Sequence, residues 1–179
     1  MPNHRVKEHW MSDEVETLED LLRPGLRAVC VGINPSPVSV AAGHYYQGRA
    51  GQRFFGRLRT AGVLPAATRG HEDDIAFAAG VGFTDIIKRP TPNAKALPAA
   101  EYEHGRQQLV DKLETHRPEL VIFTFKKTAQ VLLGNFQGNG FKPDLHLAHS
   151  DVFVMPGPYE SADTVADTMQ TLAKRFGRA

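Results

Sequence analysis

Two short runs limit what this chain can become: Arg27 to Ile33 (RAVCVGI) and Leu120 to Phe125 (LVIFTF). Both are apolar without alternation. A strand with one wet face alternates polar and apolar residues, so a run that does not alternate must be covered on both faces. The first is bounded by Gly25 and Asn34-Pro35. Val152 to Met155 is a third such run, stopped by Pro156-Gly157-Pro158, and Val81 to Ile87 a shorter one, ending in Lys88-Arg89-Pro90. Amphipathic stretches lie between them. Gln52 to Ala61 carries Phe54, Phe55, Leu58 and Ala61 at helical spacing, and Asp73 to Ala79 fits a short helix. Pro98 opens a helix with Tyr102, Leu109 and Leu113 on one face. Lys127 to Leu133 is a helix stopped by Gly134-Asn135, and Ser161 or Asp163 caps a last one bearing Val165, Met169, Leu172 and Phe176. Buried strands alternating with helices predict an α/β fold, a three-layer α/β/α sandwich around a mostly parallel sheet.

The rest of the chain adds little to that frame. Residues 1–12 are polar and are expected to form a flexible N-terminus, with 13–179 a single domain. Ser12, Glu14, Val15, Leu18, Leu21 and Leu22 suggest a capped amphipathic helix stopped by Pro24-Gly25. Ser36 to Gly51 is expected as a Pro/Gly/Ser-rich loop. With 179 residues, 41% hydrophobic and 23% charged, the composition suits one ordinary core. Cys30 is the one cysteine, which excludes an intrachain disulfide and a site built of cysteines alone. No apolar signal segment opens the chain. The longest stretch without Asp, Glu, Lys or Arg, Ala28 to Gly48, is too polar to span a membrane. A reduced, soluble, cytoplasmic monomer is expected, with no membrane partner.

Charge is spread unevenly. Between Leu21 and His71 there is no Asp or Glu but there are seven arginines, leaving 14 basic against 20 acidic residues elsewhere. A solvated face accounts for this, and so does a surface for phosphates; arginine in place of lysine suits planar contacts to phosphate or base.

In parallel sheets ligands bind beyond the carboxyl ends of the strands, and three exits here carry unusual chemistry. Asn34 precedes Pro35, which biases it to extended geometry. Its carboxamide either closes an Asx turn or holds a water or a leaving group. Tyr46 either stacks on a planar base or plugs the core. Asp85 stands among Phe83, Ile86 and Ile87. It is a helix cap, a partner for Lys88 or Arg89, or a partly desolvated general base. Asp144, His146, His149 and Asp151 match no standard metal-ligand spacing, so no metal is assigned. Neither the dinucleotide nor the P-loop glycine motif is present.

Gly32-Ile33-Asn34-Pro35 completes a pattern. The chain resembles the mismatch-specific uracil/thymine-DNA glycosylases of the uracil-DNA glycosylase superfamily. Leu22 to Arg27 leading into GINP is similar to the entry to that family's first motif. Gly43, Tyr45-Tyr46 and Arg53-Phe54-Phe55 are similar to its glycine–aromatic and Arg-Phe-aromatic segments. Gly80 to Asp85, through Arg89-Pro90-Thr91, is similar to its Gly…Thr…Arg-Pro-Thr segment. The likeness covers about residues 18 to 176.

That resemblance implies a monofunctional glycosylase that flips uracil or a related damaged base out of double-stranded DNA containing a damaged or mismatched base, as at G·U, and hydrolyses its glycosidic bond without metal or cofactor. Asn34 would position the water. Tyr46 would stack on the base, and Gly32, Ile33 and Ser39 would line its pocket. Arg53 would contact DNA. Gly157-Pro158-Tyr159-Glu160-Ser161 stands where the second motif and its intercalating wedge belong, but with Gly157 in place of Asn and Tyr159 in place of Ser. This departure implies an alternative, a weakly active binder of DNA or abasic sites. Asp85 is a second departure, and it can take the role that other branches give to an aspartate of their first motif.

Overall fold

A computed structural model describes residues 3–66 and 69–177. Its centre is a five-stranded sheet in the order β4 (Val81–Asp85), β3 (Ala28–Gly32), β5 (Leu120–Phe123), β7 (Asp151–Val154), β6 (Gly140–Phe141). The first four are mutually parallel, and β6 pairs antiparallel with β7. The non-alternating runs are the strands that expectation placed there, and every residue of β3, β4 and β5 is buried.

The pleat sorts the side chains of those strands into two cores. Ala28, Cys30, Phe83, Ile122 and Phe153 face Phe54, Phe55 and Leu58 of α2 (Arg49–Thr60) and Met169 and Leu172 of α6 (Ala162–Phe176). Val29, Val31, Val121, Phe123 and Val154 face Tyr102, Leu109 and Leu113 of α4 (Ala99–His116) and Ala129 of α5 (Lys126–Leu133). The result is the expected three-layer α/β/α sandwich.

The N-terminal expectations are corrected. Residues 5–10 are not loose: β1 (Arg5–Trp10) pairs antiparallel with β2 (Asp13–Leu18), and Trp10 is 3% exposed. The helix expected from Ser12 onward is therefore a strand, in which Val15 and Thr17 alternate with Glu14 and Glu16. Past it, Leu21 exchanges backbone hydrogen bonds with Phe83 and covers the β4 edge. The expected loop 36–51 contains a helix, α1 (Pro37–Ala42), with Ser36 as its cap and Pro37 in its first turn. A short α3 (Glu72–Ala78) precedes β4.

Helix α4 lies close to the exit of β4 because Gly105 has no side chain; a Cβ there would overlap the Ile86 carbonyl. Gly105→Ala should therefore cost about 1–3 kcal/mol of unfolding free energy, as overpacking does, read from urea denaturation midpoints at unchanged slope.

Candidate active site

The exits of β3 and β4 open into a cavity of about 570 Å³. Gly32, Ile33, Asn34, Ser39, Tyr46, Arg53, Asp85 and Pro158 all line it, so most of the residues singled out in the sequence converge on one place. Gly157, Tyr159, Glu160 and Ser161 are not among its lining. Ser161 caps α6 by accepting from the Thr164 N–H, and Glu160 accepts from Asn139. Tyr159 is 99% exposed.

Asp85 is the unusual member. It ends β4 directly across from Gly32 in the parallel register. A Cβ on Gly32 would overlap its carboxylate and sit 3.1 Å from the Tyr46 hydroxyl. Glycine is thus what lets these two polar groups meet against β3. Asp85 is 3% exposed, and among the described residues neither its Oδ1 nor the Tyr46 hydroxyl has a hydrogen-bond partner.

The partners expected for Asp85 are taken. Lys88 bonds the Leu18 carbonyl and, at 3.1 Å, Asp20; Lys112 bonds Asp20 at 2.6 Å, and Thr84 donates to it. These contacts hold the Asp20 carboxyl low despite its burial. Arg89 forks onto Glu101. Left without a counter-ion in contact, Asp85 is pushed up to about 7, chiefly by burial, with the Lys88 charge opposing and Asp20 adding to the rise. Burial and the neighbouring Asp85 charge also keep the Tyr46 phenol neutral by raising its pKa.

Asn34 does not close an Asx turn. Its Nδ2 donates to the Arg89 carbonyl and to Thr91 Oγ1, both at 2.8 Å. Both amide hydrogens are used, so the oxygen is left to accept. Thr91 is a site residue whose role the sequence reading missed; its only signal was membership of the Arg-Pro-Thr segment.

Tyr46 is half-buried and packs edge-on against Phe54, with ring centroids 4.9 Å apart. Its backbone is left-handed at φ 57°, which costs an aromatic residue about 1–3 kcal/mol. The loop is held in place regardless. Asp73 accepts from the Tyr45 N–H at 2.7 Å and pairs with His44 at 3.0 Å, and Ser39 Oγ accepts from the Gln47 N–H. Ser39, read as a pocket residue, thus also fastens this loop.

Asp73 belongs to a cluster that replaces the 144–151 group as the place where ligand-type atoms converge: His4, His44, Asp73 and Asp74 lie within 4.8 Å of one another. Two pairs lie within it, His4 Nε2 with Asp74 at 2.7 Å and His44 Nδ1 with Asp73, and His4 Nδ1 turns outward to Glu19 at 3.2 Å. Burial would lower the His4 pKa, but these bonds and the charges of Asp73 and Asp74 outweigh it and raise it.

The arginine-rich stretch is divided. Arg49 and Arg53 stand at the cavity, exposed. Arg57 also lines it, but its guanidinium is spent on the Pro156 and Gly157 carbonyls. Arg23 and Arg27 sit elsewhere, over the Phe77 and Phe176 rings.

The model of the uracil DNA glycosylase superfamily matches residues 19–167. The chain belongs to that superfamily, whose members act on DNA in uracil repair and are typically hydrolytic glycosylases. Among the described residues no helix is long and apolar enough to cross a membrane.

The Asp85 environment has a consequence for stability. Its folded pKa lies above the unfolded value of 3.8, so the native state binds the extra proton between about pH 4 and 7, and stability falls as pH rises through that window. Asp85→Asn removes the charge. It should leave stability near wild type at pH 4 and raise it by up to about 4 kcal/mol at pH 8; thermal melts across this range check the sign.

Proposed function

We propose that this chain is a monofunctional DNA glycosylase of the mismatch-specific branch, excising uracil or a related base from duplex DNA such as a G·U pair. It works as a monomer in the cytoplasm, and an amide to orient the water and a carboxylate to take its proton serve the hydrolysis without a metal or organic cofactor. The observation that carries this reading is that Asn34 and Asp85 line one cavity, the amide oxygen free to orient a water and the buried carboxylate with its Oδ1 unpartnered among the described residues.

In this mechanism the target base leaves the stack, at a cost of a few kcal/mol that is smallest at a mismatch. It enters the cavity against Tyr46, whose hydroxyl is neutral and whose ring is fixed by its neighbours. The bond between C1′ and the base nitrogen breaks, and its electron pair leaves with the base as an anion. The sugar becomes oxocarbenium-like. Asn34 Oδ1 accepts from a water on the opposite face, and Asp85 takes the proton as that water's oxygen bonds C1′. The products are the free base and an abasic site. A carboxylate poised near neutrality suits this task, being both sufficiently ionised and sufficiently basic at pH 7. Its negative charge also favours the sugar cation. Arg49 and Arg53 contribute phosphate contacts at the rim. Tyr159, fully exposed and next in sequence to the cavity-lining Pro158, is the candidate for the wedge in place of the missing asparagine motif.

The second reading, a weakly active binder of DNA or abasic sites, draws on Gly157 standing where the second motif has asparagine. Single-turnover assays on a G·U duplex, with alkaline scission at abasic sites, separate the two. Wild type should excise at a rate that rises with pH through about 7. Asp85→Asn should bind the duplex normally and lose about 10²–10⁴-fold in rate, and Asn34→Ala should lose activity as well. Tight duplex binding without excision by the wild type would favour the second reading.

A further inference from the structure

The family match begins at residue 19, so the β1–β2 hairpin lies before it. Yet β1 and the residue before it, His4, bond to two segments that hold cavity residues. On one side, the His4 N–H donates to the Gly43 carbonyl at 2.9 Å, and the Glu19 N–H donates to the His4 carbonyl at 2.8 Å. The His4 ring bonds Asp74, next to the Asp73 that holds Tyr45 N–H and His44. This contact fastens the loop that carries the strained Tyr46. On the other side, the Trp10 indole N–H donates to Glu101 Oε2 at 2.9 Å. Glu101 is 5% exposed and its carboxylate grips the Arg89 guanidinium. The Arg89 carbonyl then accepts from Asn34 Nδ2.

We propose that the hairpin is a brace for the active site, with Trp10 and His4 as positioning residues that set the Asn34 amide and the Tyr46 loop. This rests on the glycosylase reading above for its effect on rate, but not for its structural content. Asn34 has two acceptors for its amide hydrogens, and one is the main chain of Arg89. A shift of that main chain rotates the amide and moves the oxygen away from the water it would orient. Glu101 fixes Arg89 through its side chain and is itself shared between Arg89 and the indole. Removing the indole donor leaves Glu101 Oε2 with the longer 3.2 Å bond from Arg89 Nε, so Glu101 and Arg89 resettle together. The Tyr46 side works similarly: a residue held at positive φ relaxes when its surroundings loosen. Errors of position of about 1 Å at reacting groups cost up to about 10²-fold in rate.

The test uses Trp10→Phe, which keeps a buried ring and removes the N–H, and His4→Gln, each in the full chain. Glu101→Gln serves if Trp10→Phe fails to fold. The structural readout is the NMR shift and hydrogen exchange of the Asn34 side-chain amide and of the Tyr45 backbone N–H. Trp10→Phe should shift the Asn34 amide and speed its exchange; His4→Gln should do so for Tyr45 N–H. In single-turnover excision on a G·U duplex, each should lose about 10-fold to 10²-fold with duplex Kd within about twofold, and with the pH midpoint unmoved because Asp85 is untouched. Both NMR signals unchanged in folded variants, or rates unchanged while only Tm falls, would overturn the brace. A wild type that does not excise at all would count against the glycosylase reading, and the NMR signals would still decide the brace.

Discussion

The structure is organised around a buried carboxylate whose Oδ1 has no hydrogen-bond partner among the described residues. Asp85 lies against the bare backbone of Gly32, and the lysines that might neutralise it are drawn to Asp20 instead. Burial then raises its pKa to about 7. Such a group is a liability for folding, since ionising it in a buried site is unfavourable. It is an asset for chemistry, since a base near neutrality can both hold and release a proton at working pH. The surrounding features serve that arrangement. Phe83 packs against the Tyr46 ring, Gly32 makes room, and the Asp20 network keeps the counter-charges at a distance.

The sheet places this group where another element can use it. β3 and β4 are parallel and adjacent, so their carboxyl ends open on one edge, and Asn34 follows β3 by two residues as Asp85 ends β4. In open α/β sheets that edge is where ligands bind. The amide and the carboxylate differ in what they can do. Asn34, with both hydrogens committed, can only accept; Asp85 can take a proton. Tyr46 is held in an unfavourable backbone conformation by bonds from Asp73 and Ser39 to its neighbours. Backbone strain sustained by its surroundings is what pre-organised sites show elsewhere.

How much of this was legible depends on whether the signal was local. β3, β5 and β7 were plain because burial on both faces leaves an apolar run with no alternation. β1 and β2 were not, because Glu14, Val15, Leu18 and Leu21 satisfy helical spacing as well as they do a strand, and the turn at Met11 and Ser12 has no glycine or asparagine to announce it. Met11 nonetheless takes positive φ there. At the site, Asn34, Tyr46 and Asp85 stood out by residue type at strand exits. Their partners did not: Thr91 and the Arg89 carbonyl lie 57 and 55 residues from Asn34. Asp20 draws Lys88 and, from α4, Lys112, long-range contacts that no local pattern reveals. Arg57, one of the seven arginines of the acid-free stretch, is a tie to the 156–157 backbone, which nothing local in the sequence announces.

Burial holds the Asp85 carboxyl near neutrality. Carbon-13 NMR of the Asp85 carboxyl in the free protein measures this directly, by following its chemical shift from pH 4 to 9. A midpoint at about 7 is the predicted result. A midpoint near 4, in the ordinary range of an exposed aspartate, would contradict it.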